Sequence, residues 1–498
     1  IRVYRGLISM RLSTLLAPLF LVNHSFDCEI LGLAQNSRLV QPGFLFLACR
    51  GRTFDGRVYI AEAISRGARA ILAETDEAQP SLEWRNELPL IHLPQLSTHL
   101  FSLAAQFFHN PGKNLGLIGI TGTNGKTSCS HFIAQALQAL QRPCGIIGTL
   151  GNGLPGALKE TLLTTPDTVT VQHILSELVA AQARYVAMEV SSHSLDQNRI
   201  AGLTFEVGIF TNLTQDHLDY HQTMAAYGAT KKRFFTAYPL RQAVLNADDK
   251  MGRELIAMRS REKVLAYSVN SPVKAVPSIY AKETSFDLSG IRARVFTPWG
   301  EGELFVPLVG EFNLSNVLAV LATLCSLGIP LAEALASLAQ LKPVAGRMQI
   351  VGGGRKPWVV IDYSHTPDSL EKALQALRRH CQGKLYCLIG CGGDRDQGKR
   401  PLMGAVAEQH ADVVMLTSDN PRHEKPETII ADILRGLKNP QRALIQANRS
   451  KAIQDIIQCA EVGDYVLIAG KGAETYQQIG DEKLPFSDVQ RVGEILAR

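Results

Sequence analysis

Short apolar runs alternate along this chain with stretches of helical period. Phe44-Leu45-Phe46-Leu47-Ala48 and Ala70-Ile71-Leu72-Ala73 predict strands in a first block, residues 1–94. In a second block, residues 95–342, the strand candidates are the run at Leu117, Tyr185 to Val190, Val207 to Thr211 and Ala243 to Asn246. A third block, residues 343–498, repeats the pattern at Trp358 to Asp362, Leu385 to Gly390, Val413 to Thr417 and Tyr465 to Gly470. Strands alternating with helices predict an α/β protein with mostly parallel sheets. The third block reads as a second, Rossmann-like sheet. Parallel sheets bind ligands at the carboxyl ends of their strands. Glu189, Asn212 and Asn246 lie at such ends, as do Asp362, Gly392 to Asp396, Asp419 to Arg422 and Lys471 to Glu474.

The run at Leu117 leads into Gly122-Thr123-Asn124-Gly125-Lys126-Thr127-Ser128, and a helical pattern follows. Strand, glycine loop, Lys-Thr and helix together make a phosphate loop. Its glycines let backbone N–H groups approach phosphate oxygens at a helix N-terminus. Lys126 is placed to reach the β- and γ-phosphates, and the Thr127 hydroxyl suits Mg2+. Ile120 stands where the general motif has its first glycine, so the loop is a variant form.

Composition narrows the classes. The 498 residues predict about three domains. Net charge is +5, from 51 basic and 46 acidic residues, with no long basic block, so nucleic acid is not indicated. Nine scattered cysteines without a CxxC argue against a zinc site or a disulfide framework and fit a reducing compartment. No apolar run is long enough to span a membrane. Leu12 to Val22 is apolar after three arginines, but Pro18 interrupts it and no cleavage site follows closely. Met10 is the expected natural start, which leaves residues 1–9 upstream of it.

Other residues carry candidate chemistry. Glu189 follows a buried strand beside the phosphate loop and suits Mg2+. Asp216, His217, Asp219 and His221 crowd one loop after a core strand. Lys231, in a helical stretch from Met224 to Phe235, reads from its neighbours as a surface lysine, part of a solvated Lys231-Lys232-Arg233 face. Arg347 lies at a block boundary and suits a γ-phosphate, and Asp362 suits ribose hydroxyls.

Taken in order, Gly122 to Thr127, Met188 to His193, Asn212 to His217, Gly310 to Asn313 with Asn316, Gly346 to Met348 and Asp362 to Pro367 resemble the Mur ligases. That family adds amino acids to a peptidoglycan precursor with ATP. Cys391 to Asp396, Gly398 to Pro401 and Asp419 to Arg422 resemble the branch that adds the third peptide residue. The resemblance implies that Gly122 to Ser128 hold the ATP phosphates, with Asn313 on adenine, Arg347 on phosphate and Asp362 on ribose. Lys126, Glu189, His217, Lys231 and Arg347 would be catalytic. Thr127, Glu189, His217 and Lys231 would serve metal, the lysine as a carbamate formed with CO2. Gln35, Ser37, Arg52, Thr53 and Phe54 would take the uridine diphosphate end of the sugar substrate. Leu163, Thr164, Thr165, Ser191, Gln197 and Arg199 would take its muramoyl-dipeptide part.

For the incoming amino acid, the resemblance implies Arg395, Asp419, Asn420, Pro421, Arg422, Gly470 and Glu474. A guanidinium pairs with a distal carboxylate and repels a bare ammonium. Arg422 therefore favours meso-2,6-diaminopimelate over lysine. The expected partners are ATP, diaminopimelate and UDP-N-acetylmuramoyl-L-alanyl-D-glutamate, used by a cytoplasmic monomer. Ala473 stands where relatives often have His. Competing readings are a lysine-adding ligase, a folylpolyglutamate synthase and a non-catalytic nucleotide-binding relative.

Overall fold

A computed structural model describes residues 8–51, 55–85, 87–161 and 163–497. The site-bearing elements, in chain order, are β1 (Gly116–Thr121), α1 (Lys126–Ala139), β2 (Tyr185–Glu189), β3 (Phe205–Phe210) and α2 (Met224–Thr236). The series continues with β4 (Trp358–Asp362), α3 (Pro367–Arg378), β5 (Leu385–Ile389), α4 (Lys399–His410), β6 (Val413–Leu416), β7 (Tyr465–Ala469) and α5 (Asp488–Leu496). Each strand lies within a few residues of the run that predicts it.

The chain forms two compact units. The first comprises Ile1–Gly119, Arg142–Glu206 and Thr236–Leu240; the second comprises Ile120–Gln141, Val207–Phe235 and Arg241–Arg498. The division passes through β1, just before the phosphate loop.

In the first unit, a five-stranded sheet runs Gly32–Ala34, Phe44–Ala48, Ala70–Thr75, Leu88–Pro94, Ser81–Arg85. Its strands are parallel except the last, an exposed antiparallel edge. The apolar stretch after Met10 packs into this unit's core. Leu12, Leu15 and Leu16 are fully buried in a helix, Leu12–Leu16, against Leu96, Leu103 and Phe107.

The second unit holds a six-stranded sheet in the order Gln349–Gly352, β4, β7, β5, β6, Leu444–Ile445. All its pairings are parallel except that of the first strand with β4. Alternation along the strands divides its core. Val360, Cys387, Ile389 and Leu467 face Leu370, Leu374 and Met403 of α3 and α4. Val359, Ile361, Leu388, Val466 and Ile468 face Ile453, Ile456 and Val492. Both faces are covered, so the strands read as continuous apolar runs.

One part of the second unit departs from the parallel expectation. Leu240–Asn246 pairs in parallel with Val264–Ser268, but Ser278–Asp287, Gly290–Thr297 and Gly300–Val306 form an antiparallel meander. Its first turn is built by Asp287, whose Oδ1 accepts from the N–H groups of Ser289 and Gly290. Among the described residues, no helix is long and apolar enough to cross a membrane.

Candidate active site

The phosphate loop is sewn to the segment after β3. Thr123 N donates to Asn212 O at 2.8 Å, and Asn124 N donates to Asn212 Oδ1 at 2.9 Å. Thr211 Oγ1 donates to Asn124 O at 2.6 Å. The glycines answer to this crowding. A β-carbon on Gly122 would meet Thr211 Oγ1 at 1.9 Å, and one on Gly125 would meet Asn316 Oδ1 at 2.5 Å; both residues have positive φ. Asn316 in turn donates to Asn313 Oδ1 at 3.1 Å, so the adenine candidate is tied to the back of the loop. Lys126 Nζ donates to the carbonyls of Gly122 and Thr123 at 3.0 and 2.8 Å. Thr127 and Ser128 are buried in the first turn of α1.

Lys231 corrects the reading of its helix. It is 1% exposed, not on a solvated face. Its Nζ donates to Gly122 O at 2.8 Å and lies 4.5 Å from the centre of the Tyr227 ring. Burial, with the Lys126 charge added, holds its ammonium well below the ordinary lysine value, against a pull from Asp216. Helical period places Lys231 on the same face as Tyr227, Phe234 and Phe235, all buried. The charge run hid that apolar stripe.

Asp216 gathers three basic partners. His217 Nε2 lies 3.3 Å away, His365 Nε2 3.4 Å and Lys399 Nζ 3.4 Å. Burial alone would raise this carboxyl, but those neighbours hold it well below the ordinary value. His217 has φ +55°, a left-handed conformation that a non-glycine residue adopts only where its surroundings impose it.

The predicted nucleotide residues of the third block reach the phosphate loop. Arg347 Nη2 donates to Thr127 Oγ1 at 3.0 Å, and its guanidinium lies 4.3 Å from the centre of the Tyr363 ring. Asp362, at the end of β4, accepts from Met348 N at 2.7 Å and from the Ser364 hydroxyl. Asn124 Nδ2 donates to Asp368 Oδ2 at 2.9 Å.

A second cluster forms where β5, β6 and β7 end. Asn420 donates to Glu474 Oε2 at 2.9 Å, and Lys471 Nζ donates to Asn420 Oδ1 at 2.9 Å and to Glu474 Oε2 at 2.7 Å. Asp419 is buried. Desolvation would raise its carboxyl, but Lys471 and Arg449 hold it below the ordinary value. Gly470 passes so close that a β-carbon would lie 2.6 Å from Asp419 Oδ2. Arg422 Nη1 donates to Gly393 O at 2.7 Å. A β-carbon on Gly392 would lie 2.8 Å from Arg422 Nη1 and 3.5 Å from Arg395 Cγ, so two guanidinium side chains flank one glycine. The backbone oxygen of Pro421 packs as tightly on Gly393. Burial, then the neighbouring Arg395, lowers the Arg422 pKa.

A third group lies in the first unit. Thr165, fully buried, donates from Oγ1 to Glu189 O at 2.7 Å and to Ser191 Oγ at 3.1 Å. Arg199 Nη1 donates to Thr165 O at 2.8 Å and Nη2 to Gln197 Oε1 at 2.6 Å. Glu189 is fully buried and accepts from Thr149 N at 2.9 Å and Oγ1 at 3.1 Å; the Thr149 and Thr164 hydroxyls are 3.1 Å apart. Thr164, Thr165, Ser191, Gln197 and Arg199 are therefore brought together around Glu189. Leu163 is exposed. Gln35 Oε1 lies 3.5 Å from Val169 N, and Ser37 donates to Glu62 at 2.7 Å. Arg52, Thr53 and Phe54 lie outside the described residues.

Of the four predicted metal residues, Glu189 belongs to the first unit and Thr127, His217 and Lys231 to the second. Among the described residues no three His, Cys, Asp or Glu side chains cluster as a self-sufficient metal site. Within the second unit, the buried Thr127 hydroxyl is an oxygen donor of the kind Mg2+ takes, with phosphate oxygens and water completing its shell. Residues the sequence reading missed include Lys399, Arg400 and the fully buried Arg449–Asp488 pair. Lys399 and Arg400 sat inside a quoted motif; Arg449 has no local signal.

Three family models match the chain: "Mur ligase family, catalytic domain" over residues 29–112, "Mur ligase middle domain" over 120–324 and "Mur ligase, glutamate ligase domain" over 346–472. The chain is 48% identical over 473 residues to a UDP-N-acetylmuramoyl-L-alanyl-D-glutamate–2,6-diaminopimelate ligase of Coxiella burnetii, covering 94% of this chain and 96% of that one. It is 50% identical over 465 residues to the like-named ligase of Ectopseudomonas mendocina, covering 93% and 94%. A solved structure of a ligase with that name aligns with TM-score 0.63 and 33% identity, covering 94% of this chain and 95% of the other.

Proposed function

The chain belongs to the Mur ligase family, and from that premise we propose how it works. It is an ATP-dependent ligase of peptidoglycan synthesis. It joins meso-2,6-diaminopimelate to the D-glutamate γ-carboxylate of UDP-N-acetylmuramoyl-L-alanyl-D-glutamate. One observation carries the reading: a phosphate loop touched by Arg347 shares a compact unit with a loop cluster where Arg395 and Arg422 flank Gly392.

In the first step a γ-carboxylate oxygen attacks the γ-phosphorus of ATP, and the bond to the ADP oxygen breaks. The unprotonated amine of diaminopimelate then attacks the acyl carbon, loses its proton, and phosphate leaves. Lys126 and Arg347 offset charge on the phosphates, and the loop N–H groups orient them. Mg2+ would supply further charge neutralisation when bound, with Thr127 and His217 of the second unit as the residues that hold it. The group around Glu189 takes the muramoyl-dipeptide, with Gln35, Ser37, Arg52, Thr53 and Phe54 on the uridine diphosphate end. Asn313 and Asp362 take the nucleoside.

Lys231 supports a carbamate at that position. Its burial and lowered pKa favour the neutral amine, the form that attacks CO2. The new N–C bond forms as a C=O electron pair moves to oxygen, and a proton is released. A buried cation thereby becomes an anionic oxygen donor. Intact mass measured without acid treatment tests this: a gain of one CO2 lost in Lys231→Met supports it, and an unchanged wild-type mass refutes it.

Arg422 sets the choice of amino acid. The distal carboxylate of diaminopimelate pairs with it, and the bare ammonium of lysine is repelled. The domain boundaries at 94/95 and 342/343, a monomeric state and a cytoplasmic location belong to the same proposal; ATP and a UDP-sugar are supplied there. The test is ADP release with the UDP-muramoyl dipeptide and each amino acid. Release that needs both dipeptide and diaminopimelate is expected. Release with lysine at equal rate would point to a lysine-adding ligase, and no release with either would end the ligase reading.

A further inference from the structure

Residues 391–400 are held by two sets of groups outside the assigned site. In the first, Gln215 Nε2 donates to Asp396 Oδ2 at 3.3 Å, and Lys399 Nζ donates to Asp216 Oδ1 at 3.4 Å. Gln215 and Asp216 immediately precede His217. In the second, Arg400 donates from Nη1 to Glu424 Oε2 and Asp432 Oδ2, both at 2.8 Å. Its Nη2 donates to Glu424 Oε1 at 2.7 Å and to Gly392 O at 3.4 Å. Glu424 Oε1 also accepts from Asp394 N at 2.6 Å. Arg395 lies between these anchors, and Arg422 is two residues before Glu424.

Lys399 and Arg400 open α4 as consecutive residues, about 100° apart around the helix, so they address different neighbours. Lys399 is 6% exposed and Arg400 fully buried. Charges so buried persist only with partners, and losing one partner leaves an uncompensated charge. The two contacts therefore constrain where the segment carrying Arg395 can sit.

We propose that Lys399 and Arg400 are positioning residues that couple the loop carrying His217 to the amino-acid pocket. Lys399 docks the segment on Asp216, and Arg400 fixes the pocket loops that bear Arg395 and Arg422. Nucleotide that orders the phosphate loop and the 211–217 segment sewn to it thereby improves the pocket, and the coupling is reciprocal. The identity of the incoming amino acid rests on the ligase reading; the coupling does not.

The test uses the full chain and calorimetric titration of diaminopimelate, with the UDP-muramoyl dipeptide present, with and without a non-hydrolysable ATP analogue. In the wild type the analogue should tighten diaminopimelate about tenfold. Lys399→Met should lose that gain while its nucleotide-free affinity stays within about twofold, and Lys399→Arg should restore it. Arg400→Lys should weaken diaminopimelate about tenfold with or without nucleotide and leave dipeptide affinity unchanged. Undiminished enhancement in Lys399→Met, or equal weakening of all substrates in Arg400→Lys, overturns the proposal. If Arg400→Lys fails to fold, Glu424→Gln removes the same clamp and is read the same way. Hydrogen exchange of residues 391–400 on adding the analogue reads the coupling without any amino acid. Protection that appears in the wild type and is lost in Lys399→Met supports it, and no protection overturns it. Diaminopimelate failing to bind a protein that shows this protection would sink the ligase reading alone.

Discussion

The phosphate loop and the proposed amino-acid pocket lie in the same compact unit but are built differently. The loop is local: Gly122 to Ser128, between β1 and α1, present backbone groups and one lysine that folds onto its own loop carbonyls. The proposed pocket is assembled from four separated segments, 391–400, 419–424, 449 and 470–474, and is braced by one fully buried ion pair, Arg449–Asp488. Arg449 donates to both oxygens of Asp488 and to the carbonyls of Ser418 and Ala469, clamping the ends of β6 and β7 to α5. Chemistry that reads phosphate can be encoded in seven consecutive residues. Chemistry that tells one amino acid from another needs charges brought together by the fold and kept apart from water.

That contrast predicts different responses to mutation. Arg449→Met should be the most damaging change, leaving Asp488 buried and unpaired at a cost of about 3–5 kcal/mol. Denaturant unfolding would show it, and a loss below about 1 kcal/mol would mean the clamp does not carry the pocket. Lys126→Ala should slow ADP release by about 10²–10³-fold, with stability nearly unchanged, because the loop is held by backbone and Asn212. Near-normal turnover would overturn the phosphate-loop assignment. Arg422→Ala should reduce kcat/KM for diaminopimelate by about 30-fold, with the KM for the UDP-muramoyl dipeptide unaffected. A change in the dipeptide KM instead would move Arg422 out of the amino-acid pocket.

Lys231→Met should give the smallest shift in stability and in the opposite direction. The Lys231 pKa is depressed in the folded protein, so between that value and the ordinary lysine value the unfolded chain binds the extra proton. Stability therefore rises with pH across that window, and at neutral pH the lysine costs stability. Its removal should raise Tm by about 1–3 °C in ligand-free, CO2-depleted protein while abolishing turnover. A lower Tm would show that the bond to Gly122 O outweighs the burial cost. The Asp394–His423 pair offers a pH test of the pocket. Asp394 is held below its ordinary value by its bond to His423, and His423 is raised by the same bond. The contact is therefore present between the two values, lost as pH falls through that of Asp394 and lost as it rises through that of His423. Diaminopimelate KM should rise on both sides of this window in the wild type, and more weakly in His423→Gln.

Legibility followed locality. β4 was readable to the residue because both its faces are buried and five apolar or strand-ending residues run without interruption. The meander at Ser278–Val306 was not, since its partly exposed strands carry charges such as Lys282, Glu283 and Arg294 that break the apolar pattern. Its turn signals, Asp287 to Gly290 and Trp299-Gly300, were the clue. Lys231 was misread from its charged neighbours because its helix buries a stripe that a run of Lys-Lys-Arg conceals. Arg449 and Asp488, 39 residues apart, could not be paired from sequence at all.

The sequence by itself determined the α/β class, the parallel strands that carry the site and the phosphate loop, and it put forward the residues of the proposed pocket. Each of these follows from periodicity or from groups a few residues apart. Only the tertiary structure decided that Lys231 is buried against Gly122, that Asp216 meets His365 and Lys399, and that Arg400 and Arg449 are buried against Asp432 and Asp488. Those outcomes depend on which distant charges are desolvated together. Their energy comes from partners that chain order does not reveal.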